Sequence, residues 1–224
     1  MARVIAIDGP SGSGKSSTAK RVGQALGFLH VDSGALYRIM TWQCLARGVD
    51  TGDPAAVAAC AETVEIECRP ENGALAFYVD GEAPGARIRT PEINAHASPV
   101  ATVKAVRDRI TALLRGMTRH GDLVVEGRDI TTVVFPDSPA RFYLTASAEA
   151  RARRRQLEEV ATGVANQSAE AVKASLLARD AIDSTRAYAP LRKADGALEI
   201  DSTQLTLDEV VQAVLDALPA DWRR

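Results

Sequence analysis

The chain is poor in cysteine, histidine and aromatic residues. Among 224 residues there are three cysteines, three histidines and 4% aromatics. Cys44, Cys60 and Cys68 are odd in number, widely spaced and form no C-x-x-C pair, and His30, His96 and His120 are equally scattered. That pattern excludes a disulfide scaffold or structural zinc site and makes a reducing cytosol the expected compartment. With a net charge of −2 there is no global positive field to recruit nucleic acid. No apolar stretch approaches the roughly 20 residues a membrane helix needs. No signal-peptide pattern precedes the first strand, so the expectation is a cytoplasmic protein without membrane or nucleic-acid partners. Internal repeats and low-complexity tracts are also lacking.

What is present is a phosphate-binding loop. Gly9, Pro10, Ser11, Gly12, Ser13, Gly14, Lys15 and Ser16 spell G-x-x-x-x-G-K-S directly after the apolar run Val4-Ile5-Ala6-Ile7. Ser17 follows, and Lys15 to Leu26 has helical character. A buried strand delivering the chain to a glycine-rich turn and then a helix aims backbone N–H groups, a helix dipole and one lysine at a single spot. Such a spot suits the phosphates of a nucleoside triphosphate, with the Ser16 hydroxyl available to Mg²⁺.

Five apolar runs predict a buried parallel sheet: Val4–Asp8, Phe28–Asp32, Leu123–Gly127, Arg141–Thr145 and Leu198–Asp201. Helical patterning between them implies right-handed βαβ units in one α/β domain. Thr206 and Glu209 make a capping box before an apolar stripe of Leu207, Val210, Val211, Val214, Leu215 and Leu218, which predicts a closing helix. Residues 64 to 82 differ in kind. Alternation at Val64–Cys68, a turn at Asn72-Gly73 and the run Leu75–Val79 predict an antiparallel hairpin, with a third short strand near Ala86 to Arg89.

Phosphoryl transfer requires neutralising two sets of phosphates and holding them in line. Arginine suits that work, because its planar fork grips phosphate oxygens and never deprotonates. Several arginines fall at or beyond the predicted C-terminal strand ends, where open α/β sheets bind ligands. Arg38 follows the run ending at Asp32, and Arg128 with Asp129 follows the run ending at Gly127. The arginine run 151 to 155 lacks the interleaved aromatics of a strand-binding platform.

Gly-Pro-Ser-Gly-Ser-Gly-Lys-Ser (9–16), Asp-Ser-Gly-Ala-Leu-Tyr-Arg (32–38), Arg-Thr-Pro-Glu-Ile (89–93), Gly-Arg-Asp (127–129), Thr-Val-Val-Phe-Pro-Asp (132–137) and Arg-Asp-x-x-Asp-Ser-Thr-Arg (179–186) together resemble the bacterial cytidylate kinase family, in order and over nearly the whole chain. The resemblance implies a P-loop NTPase fold: a five-stranded parallel sheet flanked by helices, with an inserted antiparallel β subdomain and a helical lid. Its parts would be a core (1–33, 99–147 and 184–224), a nucleoside-monophosphate insert (34–98) and a lid (148–167). It further implies a monomer that transfers the γ-phosphate of ATP, with Mg²⁺, to CMP or dCMP.

By motif match, Lys15 and the loop from Gly9 to Ser17 would hold the ATP phosphates, and Ser16 would meet Mg²⁺. Ser33 would line the acceptor site, while Arg38 and Arg128 would hold the acceptor phosphate. Ser98, Arg107 and Asp129 would read the cytosine edge. Asp183 would take the ribose hydroxyls, and Arg179 and Arg186 would bridge donor and acceptor phosphates. Arg151, Arg154 and Arg155 fall in the lid, with Arg154 turned to ATP. The chain departs from the family pattern at Glu126, where aspartate is often found, and at Thr131, where glycine is common. The alternative is another small-molecule P-loop kinase, acting on UMP, shikimate or dephospho-coenzyme A. A regulatory GTPase would need D-x-x-G and N-K-x-D downstream, and neither occurs.

Overall fold

The computed structural model describes residues 2–162 and 168–223, without the side chains of 159–162. Strands β1 (Val4–Asp8), β2 (Leu29–Asp32), β5 (Leu123–Gly127), β6 (Ala140–Thr145) and β7 (Leu198–Asp201) form a parallel sheet. These are the five expected runs. β1 and β5 are buried at every position, as strands covered on both faces must be.

Side chains alternate across the sheet and feed two cores. On one face Val4, Ala6, Val31 and Val125 meet α2 (Ser33–Ala46), α3 (Pro54–Thr63), α4 (Pro91–Thr102) and α5 (Lys104–Gly116). On the other, Ile5, Ile7, Val124 and Phe142 meet α1 (Lys15–Leu26) and α8 (Leu207–Asp216). The predicted capping box of α8 is present, with Thr206 and Glu209 bonded reciprocally.

The hairpin is β3 (Ile66–Glu71) and β4 (Ala74–Val79), turning at Asn72-Gly73. It is not a separate sheet. β4 joins β2 through a parallel pairing of His30 with Ala74, so a single seven-stranded sheet runs β3-β4-β2-β5-β1-β6-β7. The expected third strand is a 3₁₀ turn, Gly85–Arg89. The sequence shows the hairpin but not its docking, because one bridging pair leaves no pattern in the chain.

Two further helices, α6 (Ala148–Thr162) and α7 (Ala169–Thr185), pack on each other through Ala152, Val172 and Leu176. The expected lid spans α6 and residues 163–167, and the latter lie outside the described residues.

The sheet order puts the C-terminal ends of β1 and β5 side by side, with Asp8 in register with Gly127. The phosphate loop and the Gly-Arg-Asp segment therefore leave the sheet as neighbours. Two glycines permit this. At Gly9, φ is +153°, and a Cβ would stand 1.9 Å from the Leu144 carbonyl oxygen. At Gly127 a Cβ would meet Ser33 Oγ at 2.5 Å. Gly9→Ala is accordingly expected to lower unfolding free energy by about 2–3 kcal/mol and to abolish nucleotide binding, since backbone must shift at the root of the loop. Urea denaturation with nucleotide titration checks both.

Candidate active site

The phosphate loop ends at Gly14, whose left-handed φ of 91° starts α1 without a side-chain cap. The first N–H groups of α1 therefore stay free of side-chain competition, as an anion site requires. Lys15 opens the helix and is buried, its Nζ donating to the Pro10 carbonyl at 2.7 Å. Desolvation, with Arg128 beside it, pulls the Lys15 ammonium down to about 7. Ser16 Oγ donates to Glu126 Oε1 at 2.5 Å.

Cations converge on this edge from separate elements. Arg128, just after β5, donates from Nε to Asp183 Oδ2 at 3.0 Å. Arg186, the residue capping the end of α7, sits 3.5 Å from Asp183 Oδ1 and donates from Nε to the Ala189 carbonyl. Asp183 is buried between them, not part of an exposed ladder on the helix. Burial, then the charges of Arg128, Arg38 and Arg155, pull Arg179 down to about 10 against the help of Asp183. Among the described residues, Arg179 Nε is buried without a hydrogen-bond partner. These are like charges held together at a cost.

Two of the expected base-reading residues, Arg107 and Asp129, meet as well. Arg107, on α5, is 1% exposed, and its Nη2 lies 2.5 Å from Asp129 Oδ2. The two form a buried ion pair, and neither of these atoms has a hydrogen-bond partner outside it. Arg107 Nη1 donates to the Ala101 carbonyl, and its guanidinium lies 5.1 Å over the Tyr37 ring. Ser98 is buried on α4, which packs on α5. Ser33, the first residue of α2, is buried against Gly127.

Two expected residues engage elsewhere. Arg38 pairs with Asp32 at 2.9 Å, and Arg89 meets the same carboxylate at 3.2 Å. Burial alone would push the Asp32 carboxyl up, but the guanidinium groups of Arg38 and Arg89 hold it below the usual range. Arg154 grips Ser202, which donates to the Ser13 carbonyl. Together these line a cleft of about 180 Å³ beside Gly12 and Gly14, walled by Leu205, Leu207 and Val210.

Sequence reading missed the partners: Glu126 on Ser16, Asp32 on Arg38, Ser202 on Arg154 and Asp180 on Arg151. One signal was available, since Asp8, Asp32 and Glu126 each sit at or near the end of a parallel strand. Carboxylates there are costly unless they are used.

Arg151 is a bracket rather than a loose lid residue. It is buried and donates to the carbonyls of Ser11 and Ala146 and to Asp180, while Asp180 also accepts from Ser11 N. It thus ties α6 and α7 to the phosphate loop. Arg151→Ala should lower unfolding free energy by ~3 kcal/mol, the cost of leaving one partner of a buried pair. The exposed Arg153→Ala should change it by no more than about 0.5 kcal/mol. Denaturant titrations of both variants make the comparison.

Comparison with known proteins identifies the family. The family model for cytidylate kinase matches residues 5–220. A cytidylate kinase of Shouchella clausii is 42% identical over 220 residues, covering 98% of this chain and 97% of the relative. One from Streptomyces avermitilis is 46% identical over 214 residues, covering 95% and 90%. A crystal structure of an uncharacterized protein from Eubacterium ventriosum superposes with a TM-score of 0.51 at 11% identity over 96% of both chains, a likeness of fold alone. A family match spanning nearly every element, and relatives matched end to end, mean that the chain belongs to the cytidylate kinase family.

Proposed function

We propose that the chain catalyses phosphoryl transfer from ATP to CMP and dCMP, with the residues of the cationic edge in the following roles. The observation that carries this reading is the crowding of Lys15, Arg128, Arg179 and Arg38. Burial and then mutual repulsion depress both Lys15 and Arg179, and the protein's own carboxylates offset this only in part. Two nucleotides meeting phosphate to phosphate supply further negative charge. Acceptors of other small-molecule P-loop kinases, such as UMP, shikimate or dephospho-coenzyme A, are not favoured by the family match.

The loop amides of residues 9–17 and Lys15 hold the β- and γ-phosphates. The donor base enters the cleft walled by Leu205, Leu207 and Val210, with Arg154 on its other side. Ser16 and Glu126 offer two oxygen donors where a hard cation would sit beside the phosphates. Among the described residues no group of three or more acidic, histidine or cysteine side chains could hold a metal. On this reading Mg²⁺ is bound mainly through phosphates and water. When bound, Mg²⁺ neutralises charge on the phosphate oxygens.

On the acceptor side, Arg128 and Arg38 take the CMP phosphate, Arg38 turning from Asp32 to do so. Asp183 accepts from the ribose hydroxyls, and Arg179 and Arg186 lie between the two phosphates. Cytosine presents an amino donor beside two acceptors, a pattern met by Asp129 with Arg107 and Ser98. Uracil would set O4 against the Asp129 carboxylate, a buried mispairing. Ser33 lines the site beside Gly127. Residues 34–98 form the acceptor-side insert of a core built from 1–33, 99–147 and 184–224. The expected lid, residues 148–167, would exclude water as the two substrates meet.

The protein acts as a cytoplasmic monomer on this reading, and no helix among the described residues is long and apolar enough to cross a membrane.

Lys15→Ala should reduce kcat by about 10²–10³-fold, the value of one strong electrostatic contact in the transition state, with melting temperature maintained or raised. A coupled assay of ADP formation beside a thermal melt measures it. Asp129→Asn should narrow the CMP to UMP ratio of kcat/KM by about 5- to 150-fold, from the loss of a charge-assisted pairing worth roughly 1–3 kcal/mol. Parallel kinetics with the two acceptors give the ratio directly.

A further inference from the structure

Asp8 is the last residue of β1, fully buried and immediately before the phosphate loop. Its carboxylate does not turn toward that loop. Oδ1 accepts from the Ile130 N–H at 2.9 Å, and Oδ2 accepts from the Thr131 N–H at 2.7 Å and the Thr131 hydroxyl at 2.6 Å. Burial pushes this carboxyl up to about 6, and the nearby charge of Asp129 adds to the push. A buried carboxylate bonded to neutral donors is an expensive way to tie two segments.

What it ties is the strap carrying Arg128 and Asp129. Ile130 to Val134 form a single wide helical turn, in which the Asp129 carbonyl accepts from Val133 N and Val134 N. Asp129 itself takes φ −145°, ψ 21°, outside the regular helical and extended regions. The turn fixes its carbonyl, and Asp8 fixes the N–H groups of the two residues that follow. Arg115 holds the far end through the carbonyls of Val133 and Val134. The side chains at 128 and 129 are then set relative to β1, and through it to Gly9. Thr131 contributes one of the three bonds through its hydroxyl. A glycine there would keep the N–H and lose that bond.

We infer that Asp8 and Thr131 form a positioning pair for acceptor selection, locking the Arg128–Asp129 strap at a fixed place relative to the phosphate loop. This rests on the reading of Asp129 as the residue that meets the cytosine amino group. Neither Asp8 nor Thr131 touches substrate. Their effect falls on the acceptor nucleotide and spares the donor.

Thr131→Val removes the hydroxyl at nearly constant shape, and Thr131→Ser keeps it. Steady-state kinetics with CMP, UMP and ATP, beside a thermal melt, test the pair. Thr131→Val should raise the KM for CMP about tenfold and narrow the CMP to UMP ratio of kcat/KM, with the KM for ATP within about twofold of the parent. Thr131→Ser should restore both acceptor parameters. If Thr131→Val lowers only the melting temperature, or raises the KM for CMP and ATP alike, the positioning role is overturned. Asp129→Asn measured alongside separates the causes. A narrowed ratio there with unchanged acceptor kinetics in Thr131→Val overturns the positioning pair alone. An unchanged ratio in Asp129→Asn overturns the reading of Asp129 and the positioning pair with it.

Discussion

Like charges resist being gathered, and this fold gathers them at one edge. Arginines 128, 179 and 186 and Lys15 are all at least partly withdrawn from water. For Lys15 and Arg179, burial and mutual repulsion act in the same direction, against the charged form. Such an arrangement needs a rigid backbone beneath it and local counterions or carbonyls for most of the guanidinium groups. Rigidity comes from the buried parallel strands. Counterions come from Asp183, Asp32 and Asp180, each holding an arginine that would otherwise stand unpaired against its neighbours.

The carboxylates have a further consequence. Asp32 both caps α2, through the Ala35 N–H, and holds Arg38. Glu126 takes the Ser16 hydroxyl, and Asp8 takes the strap beyond β5. These three strand ends thus organise neighbouring segments instead of presenting their carboxylates directly to solvent. Negative charge so close to a phosphate site would oppose binding if it were unpaired. Committed to hydrogen bonds with the surrounding frame, these groups instead hold Arg38, Ser16 and the segment after β5 in place.

Much of this was legible in the chain. The five strands follow from apolar runs of the right length, and α8 from its capping box and stripe, because these signals are local and periodic. The phosphate loop is legible because strand, glycines, lysine and helix follow one another without interruption. The hairpin was visible through its alternation and its Asn-Gly turn. Its docking on β2 was not, and neither was the 3₁₀ turn at Gly85–Arg89. Arg151 shows the limit most clearly. In sequence it is one arginine in a run, and nothing local distinguishes the buried bracket from the exposed Arg153 two residues on.

The sequence by itself determined the elements, the phosphate loop and the residue types that reach the site, since all of these depend on neighbours within a turn or two of chain. Only the tertiary structure decided the pairings. Arg128 meets Asp183 across 55 residues, Ser16 meets Glu126 across 110, and Asp8 meets Ile130 across 122. No periodicity can encode contacts at such separations. They follow from the order in which strands lie side by side, which puts β5 next to β1 and brings distant carboxylates and guanidinium groups within hydrogen-bond reach.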